Sequence, residues 1–192
     1  MTCRPVYPKQ ICMKKIMLLL LSLCSFVFSF AQTVLTPVAN ASKIHFVIKN
    51  FGIKTGGDFS GIKGVIRFDP VNYSLSSFNV TVDANTIDTD NDTRDDHLKG
   101  SEYFDVEKYK TLAFKSTKVV RSSKAGRFYV FGNLTIKNIT KPVEFSFGAT
   151  AKDGGYVFAG EFGINRRDFG IGGSSISMSD KLKVSLTVFA NK

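Results

Sequence analysis

The sequence predicts an all-β domain, an eight-stranded antiparallel barrel with a short helical segment in one long loop. Three observations predict it. After residue 31, apolar residues recur at every second position, and no helical period of useful length appears. Turn signals separate most of these runs: Asp69-Pro70, Ala125-Gly126, Lys141-Pro142, Asp153-Gly154-Gly155 and Gly172-Gly173. Short connections make consecutive strands antiparallel neighbours, and closing eight of them removes exposed edges. A two-sheet sandwich is the alternative arrangement of the same strands.

The strands follow in chain order. Ile44, Phe46 and Ile48 alternate with His45, Val47 and Lys49. Ile62, Gly64, Ile66 and Phe68 alternate with Lys63, Val65 and Arg67, and Phe78, Val80 and Val82 with Asn79, Thr81 and Asp83. Ala84 to Tyr109 then breaks the pattern. It is rich in Asp, Asn, Thr and Lys, and reads as an acidic loop with one or two helical turns closing a barrel end. Alternation resumes at Leu112 and Phe114, at Phe128, Val130, Leu134 and Ile136, and at Val143, Phe145 and Phe147. Tyr156, Phe158, Phe162 and Ile164 precede the last run, Leu182, Val184, Leu186 and Val188. Each strand has one apolar face and one largely polar face.

Residues 1–31 read as a leader, with one domain over residues 32–192. Lys14 and Lys15 precede the apolar run from Ile16 to Phe30, and Ser29-Phe30-Ala31 ends it with small residues. Met13-Lys14-Lys15 is the more usual opening of such a segment. The run is shorter than the roughly 20 residues of a spanning helix. It predicts export, to the periplasm or beyond. Cys3, Cys12 and Cys24 would leave with the leader, so the mature domain would carry no thiol. Lipidation at Cys24 is disfavoured because Leu23 stands where a small residue is wanted. Arg4, Lys9, Lys14 and Lys15 go too, lowering the formal net charge by four from +10 to +6. Such mild basicity favours solubility and transient contact with anionic headgroups. No Lys/Arg block is dense enough to predict nucleic-acid binding.

The inward face is rich in phenylalanine: Phe46, Phe68, Phe78, Phe114, Phe128, Phe145, Phe147, Phe158 and Phe162. With Ile48, Ile66, Val80, Val130 and Leu186 they are the candidate lining of a cavity. An eight-stranded barrel is narrow enough to be filled by side chains and wide enough to hold one ligand, and the residues leave both readings open. Gly64, Gly132 and Gly160 at inward positions leave room for a close approach. An apolar pocket favours a long hydrocarbon ligand, since burial contributes about 0.8 kcal/mol per CH₂. A membrane barrel is disfavoured. With its apolar face toward lipid, Lys49, Lys63, Arg67, Lys115, Glu144, Glu161 and Lys183 would crowd a narrow lumen.

Ordered motifs then carry a resemblance. They run from Ser42-Lys43-Ile44-His45-Phe46 through Gly57-Asp58-Phe59-Ser60-Gly61 and Phe68-Asp69 to Ile87-Asp88-Thr89. Arg94-Asp95-Asp96-His97-Leu98-Lys99, Tyr103-Phe104-Asp105-Val106 and Phe114-Lys115-Ser116-Thr117 follow. Gly132-Asn133-Leu134-Thr135-Ile136, Thr140-Lys141-Pro142-Val143 and Asn165-Arg166-Arg167-Asp168-Phe169-Gly170-Ile171 complete the set. In this order and spacing, the chain from Ser42 onward resembles the YceI-like family. The resemblance implies a lipocalin-like barrel, periplasmic export and an elongated pore for polyisoprenoid chains, such as quinone tails or prenyl phosphates. It implies non-catalytic binding with no required cofactor. Two positions depart: Ala41 stands where many members carry His, and Asn138 where a turn Gly is usual.

Arg94, His97, Arg166 and Asp168 are the candidate polar groups at the barrel mouth, where they would meet a ligand head group or pin the loops by ion pairs. A filled barrel serving as a structural or stress-response interaction protein is the alternative function. Less favoured is an enzyme acting on an apolar substrate at the mouth. Ser101, His97 and Asp105 can be combined on paper, but no nucleophile elbow accompanies them. Asp88, Asp90 and Asp92 begin like a calcium loop, yet Thr93 and Lys99 occupy its glycine and bidentate-acid positions, so no metal site is expected. Phe51 and Phe169, read as rim residues, offer a surface to a second copy.

Overall fold

The computed structural model describes Thr2 and residues 32–192; apart from Thr2, the leader with Cys3, Cys12 and Cys24 lies outside the described residues. Ten strands appear: β1 (Thr33–Pro37), β2 (Lys43–Asn50), β3 (Ile53–Phe59), β4 (Lys63–Phe68), β5 (Ser77–Asp83), β6 (Thr111–Arg121), β7 (Arg127–Ile136), β8 (Ile139–Lys152), β9 (Gly155–Asn165) and β10 (Met178–Asn191). The strands from β4 to β10 form an antiparallel meander, each paired with the next. β1 closes it, pairing with β4 through Thr33 to Leu35 and with the end of β10 through Thr36 and Pro37. Eight strands therefore make the closed antiparallel barrel. The β2–β3 hairpin adds to the other stretch of β10, with Ile44 opposite Leu186 and Ile48 opposite Leu182.

Two strands were not in the sequence reading. β1 is short, and only Leu35 and Pro37 are buried. β3 reads Ile-Lys-Thr-Gly-Gly-Asp-Phe, without an apolar alternation, and pairs because β2 offers it a free edge. β6 runs on past Lys115 because a bulge between Ser116 and Lys118 shifts the pairing. The shift inverts the phase of alternation, so Val119, not Lys118, is buried.

The helical segment is α1, Asp92–Lys99, two turns inside the long loop. Asn91 caps it, its side chain accepting from the Arg94 amide at 2.9 Å. Acidic Asp92 and Asp95 occupy the first turn and His97 and Lys99 the last, as the helix dipole favours. A backbone bridge between Asp58 and Asp88 ties this loop to β3. At the turn between β7 and β8, Lys137 and Asn138 both take positive φ (49° and 65°), the two-residue hairpin geometry that asparagine tolerates.

Candidate functional site

The barrel interior has two parts. At the end where Phe68, Phe128 and Tyr156 meet, rings fill it. Phe68 is 1% exposed, and its ring lies 5.4 Å from Phe128, 5.0 Å from Tyr156 and 5.1 Å from Phe158, all edge-on. Phe78 packs edge-on against Phe147 at 5.3 Å and Phe158 at 5.4 Å. Edge-to-face contacts of this kind each add roughly 0.5–1.5 kcal/mol beyond area burial. This half is a solid aromatic plug.

Beyond the plug lies a cavity of about 250 Å³, floored by Phe78, Phe147 and Phe158. Its wall is Phe46 and Ile48 from β2, Ile66 from β4, Val80 from β5, Phe114 from β6, Val130 from β7, Phe145 from β8, Phe162 from β9 and Leu186 from β10. Phe145 and Phe162 stack at 4.6 Å along one side. Polar side chains in the wall, Thr81 aside, gather at the far end: Asn50, Thr55, Thr89, Arg94 and Arg166. Over this end a second apolar cluster packs Phe59 of β3 with Ile87, Phe104, Val106, Phe169 and Ile171 from the loops.

Phe68 and Phe128 thus belong to the plug and do not line the cavity. The three inward glycines make room for the protein's own chain. A Cβ on Gly64, whose φ is +132°, would lie 2.2 Å from the Asn79 carbonyl oxygen. One on Gly132 would meet the Phe114 ring at 2.6 Å, and one on Gly160 the Ser146 carbonyl at 3.0 Å.

The four polar candidates separate. Arg94 reaches the cavity wall, its Nε donating to the Thr89 hydroxyl at 2.8 Å and its Nη2 to the Thr89 carbonyl at 2.5 Å. Asp95, buried beneath it, accepts from the Thr89 amide at 3.0 Å. Arg166 is 1% exposed and fully partnered. It donates to the carbonyls of Ile171 (2.8 Å), Gly173 (2.9 Å) and Ser179 (3.1 Å) and to the Asp180 carboxylate (2.9 Å). Its role is to hold the loop between Phe169 and β10 in place. His97 and Asp168 are exposed and outside the cavity. The His97 ring lies 4.9 Å from Tyr103, and its Nε2 lies 3.8 Å from Glu102, not beside Ser101 or Asp105. Phe169 is buried under the loops and is not a rim residue.

Sequence reasoning missed one polar cluster. On the outer face of the β2–β3 hairpin, Asp58 sits 3.0 Å from Lys43 Nζ and 2.6 Å from His45 Nδ1. The signal was the +2 spacing of Lys43 and His45, but β3 had to be recognised to supply the acid. Partial burial would raise the Asp58 pKa; the hydrogen bonds from Lys43 and His45 outweigh it and hold the carboxyl below its ordinary value. A depressed carboxylate stabilises the fold above its unfolded pKa of about 3.9 and loses that contribution as pH falls through the folded value. The group is half-exposed, so the effect is small. Asp58→Asn is expected to cost under about 1 kcal/mol at neutral pH and to flatten the loss of stability below about pH 4. Urea midpoints measured across that pH range check it.

Residues 36–190 match the YceI-like domain. The chain belongs to the YceI-like family. A UPF0312 protein of Vibrio cholerae is 36% identical over 143 residues, 71% of this chain and 75% of the relative. Among solved structures of the same fold, Burkholderia cenocepacia BcnA superposes with a TM-score of 0.74 at 23% identity, covering 78% of this chain and 96% of that one. A polyisoprenoid binding domain from Saccharophagus degradans, implicated in plant cell wall breakdown, gives 0.65 at 12% identity, covering 83% and 98%. The lipocalin-like barrel read from the sequence is the fold of this YceI-like domain.

Proposed function

We propose that this YceI-like protein holds one long apolar chain of the polyisoprenoid class inside its barrel, as a carrier or reservoir and without catalysis. The observation that carries the reading is the cavity: apolar along its length, blind at the aromatic plug and polar at the opposite end. A volume of about 250 Å³ falls just below the roughly 300 Å³ at which small-molecule pockets begin. It suits a slender hydrocarbon better than a fused ring system. Arg94 stands where the head group of such a chain would emerge. The polyisoprenoid-binding domain of the same fold supports the ligand class, and the leader supports export to the periplasm or beyond. The filled-barrel reading draws support from the plug, which occupies the other half of the interior.

The test is native mass spectrometry of protein purified from its own cell envelope, followed by solvent extraction. An adduct that extracts as a prenyl lipid is expected. A clean unliganded mass, unchanged after incubation with quinones and prenyl phosphates, would sink the proposal. Val80→Phe sharpens it. The added ring occupies space for about two methylenes, worth about 1.6 kcal/mol at 0.8 kcal/mol each. Retention is then expected to fall more than about tenfold, while the melting temperature changes little.

A further inference from the structure

The β2–β3 hairpin ends in a two-residue turn, Phe51-Gly52, with φ of 49° and 77°. Both residues are left-handed, the geometry that favours Asn-Gly. A bulky residue in that region is an outlier. Phe51 is nevertheless there, and it is 79% exposed. Ile53, across the turn, is 70% exposed. The Phe51 amide donates to the Ser177 carbonyl at 2.8 Å, which sets the following loop against the hairpin. That loop presents Ile176, fully exposed. Three apolar side chains therefore crown one turn and the loop beside it.

Just below the tip, Lys49 and Lys54 are directly opposite each other on the two strands. Like charges in that position destabilise a hairpin. Among the described residues neither lysine has an ion-pair partner. The tip also adjoins the cavity: Asn50 pairs with Met178, and both line its polar end.

We propose that this tip docks on an anionic lipid bilayer, with Phe51, Ile53 and Ile176 entering the headgroup boundary and Lys49 and Lys54 meeting lipid phosphates. The interface between hydrocarbon and anionic headgroups relieves the exposed apolar area and the opposed cations at once, and burial of the Phe51 ring there offsets the cost of holding it in a left-handed turn. A second copy fits less well. Two-fold pairing through the same patch sets one lysine pair against the other. An acidic protein surface would satisfy the lysines but would leave Phe51, Ile53 and Ile176 without apolar partners.

The surface is distinct from the cavity's occupant, so its failure leaves the adduct measured by mass spectrometry untouched. The chain contains no tryptophan, so F51W places a single emitter at the tip. It reads that point whatever else of the chain touches the vesicle. Using protein isolated from its own envelope, phosphatidylcholine vesicles are compared with vesicles that also contain phosphatidylglycerol. The expected result is a blue shift and quenching by brominated lipid on the anionic vesicles, reversed by salt. F51N suits the turn, so the melting temperature should hold or rise while partitioning onto anionic vesicles falls about tenfold. The K49Q/K54Q pair should abolish the preference for anionic lipid. An unshifted F51W spectrum, or F51N binding as tightly as the parent, overturns the proposal. So does a concentration-dependent shift without vesicles that tracks a dimer in ultracentrifugation, which would assign the patch to a second copy.

Discussion

Arg166→Met is expected to lower the stability of the domain by about 3 kcal/mol and to free the segment from Ile171 to Asp180. Methionine keeps much of the volume and the apolar stem but none of the donors. Four acceptors lose their partner: the carbonyls of Ile171, Gly173 and Ser179 and the Asp180 carboxylate. A buried acceptor left unpaired costs roughly 1–3 kcal/mol. Asp180 is half-exposed and also lies 3.6 Å from Arg167, so water and the second arginine compensate it. The Ile171 carbonyl is buried and carries the largest share, and the part-buried carbonyls of Gly173 and Ser179 carry most of the rest. Part of it will be recovered as the loop opens to water, which is why the total is placed near the low end. In a domain of this size about 3 kcal/mol corresponds to roughly 6–12 °C in melting temperature. Hydrogen exchange should show the loop deprotected well below global unfolding. Asp180→Asn should cost less, because the three carbonyl bonds to Arg166 survive. Equal losses for the two variants would mean that the ion pair, and not the carbonyl cradle, holds the loop.

Phe68→Ala is expected to cost about 3–5 kcal/mol, as for other buried phenylalanines truncated in a core. Phe68 contacts the rings of Phe128, Phe147, Tyr156 and Phe158, so its removal strips the plug of its hub. The surrounding strands are hydrogen-bonded on both sides and cannot collapse inward, so a void remains. That void lies directly behind the cavity floor, because Phe147 and Phe158 border both, and rotation of those two rings into it would open one space to the other. A longer apolar ligand should therefore recover more of the lost stability in Phe68→Ala than in the parent. Urea unfolding with and without a prenyl alcohol of graded length measures both effects. A loss under about 1 kcal/mol would mean that the plug repacks and that the partition between plug and cavity is soft. Phe128→Ala, at the periphery of the same cluster, provides the comparison.

Much of the barrel was legible because the information is local. Period-two alternation states which side chains share a face, and turn residues state where strands end. Eight runs, the helical turns of the long loop and the inward phenylalanines all followed from that. β3 escaped because Thr55, Gly56, Gly57 and Asp58 carry no alternation; it is a strand only because β2 lies beside it. The second half of β6 escaped because the bulge at Ser116–Lys118 reverses the phase midway.

The candidate site was legible to the same depth and no further. Alternation assigns Phe68, Phe128, Phe46 and Phe162 to one inward face without distinction. It carries no information about height along the barrel axis, which depends on strand tilt and stagger. Only the closed sheet brings Phe68 and Phe128 to the end where rings converge, and leaves Phe46 and Phe162 around empty space. Arg166 and His97 likewise read as equals in the chain. Their difference lies in what surrounds them: three carbonyls and a carboxylate from the segment that follows fold back around Arg166, while His97 faces water on the outside of α1. By itself, then, the sequence determined eight of the ten strands, the apolar face and the family. The tertiary structure decided which part of that face is solid and which is hollow, because packing depends on where side chains from many strands meet.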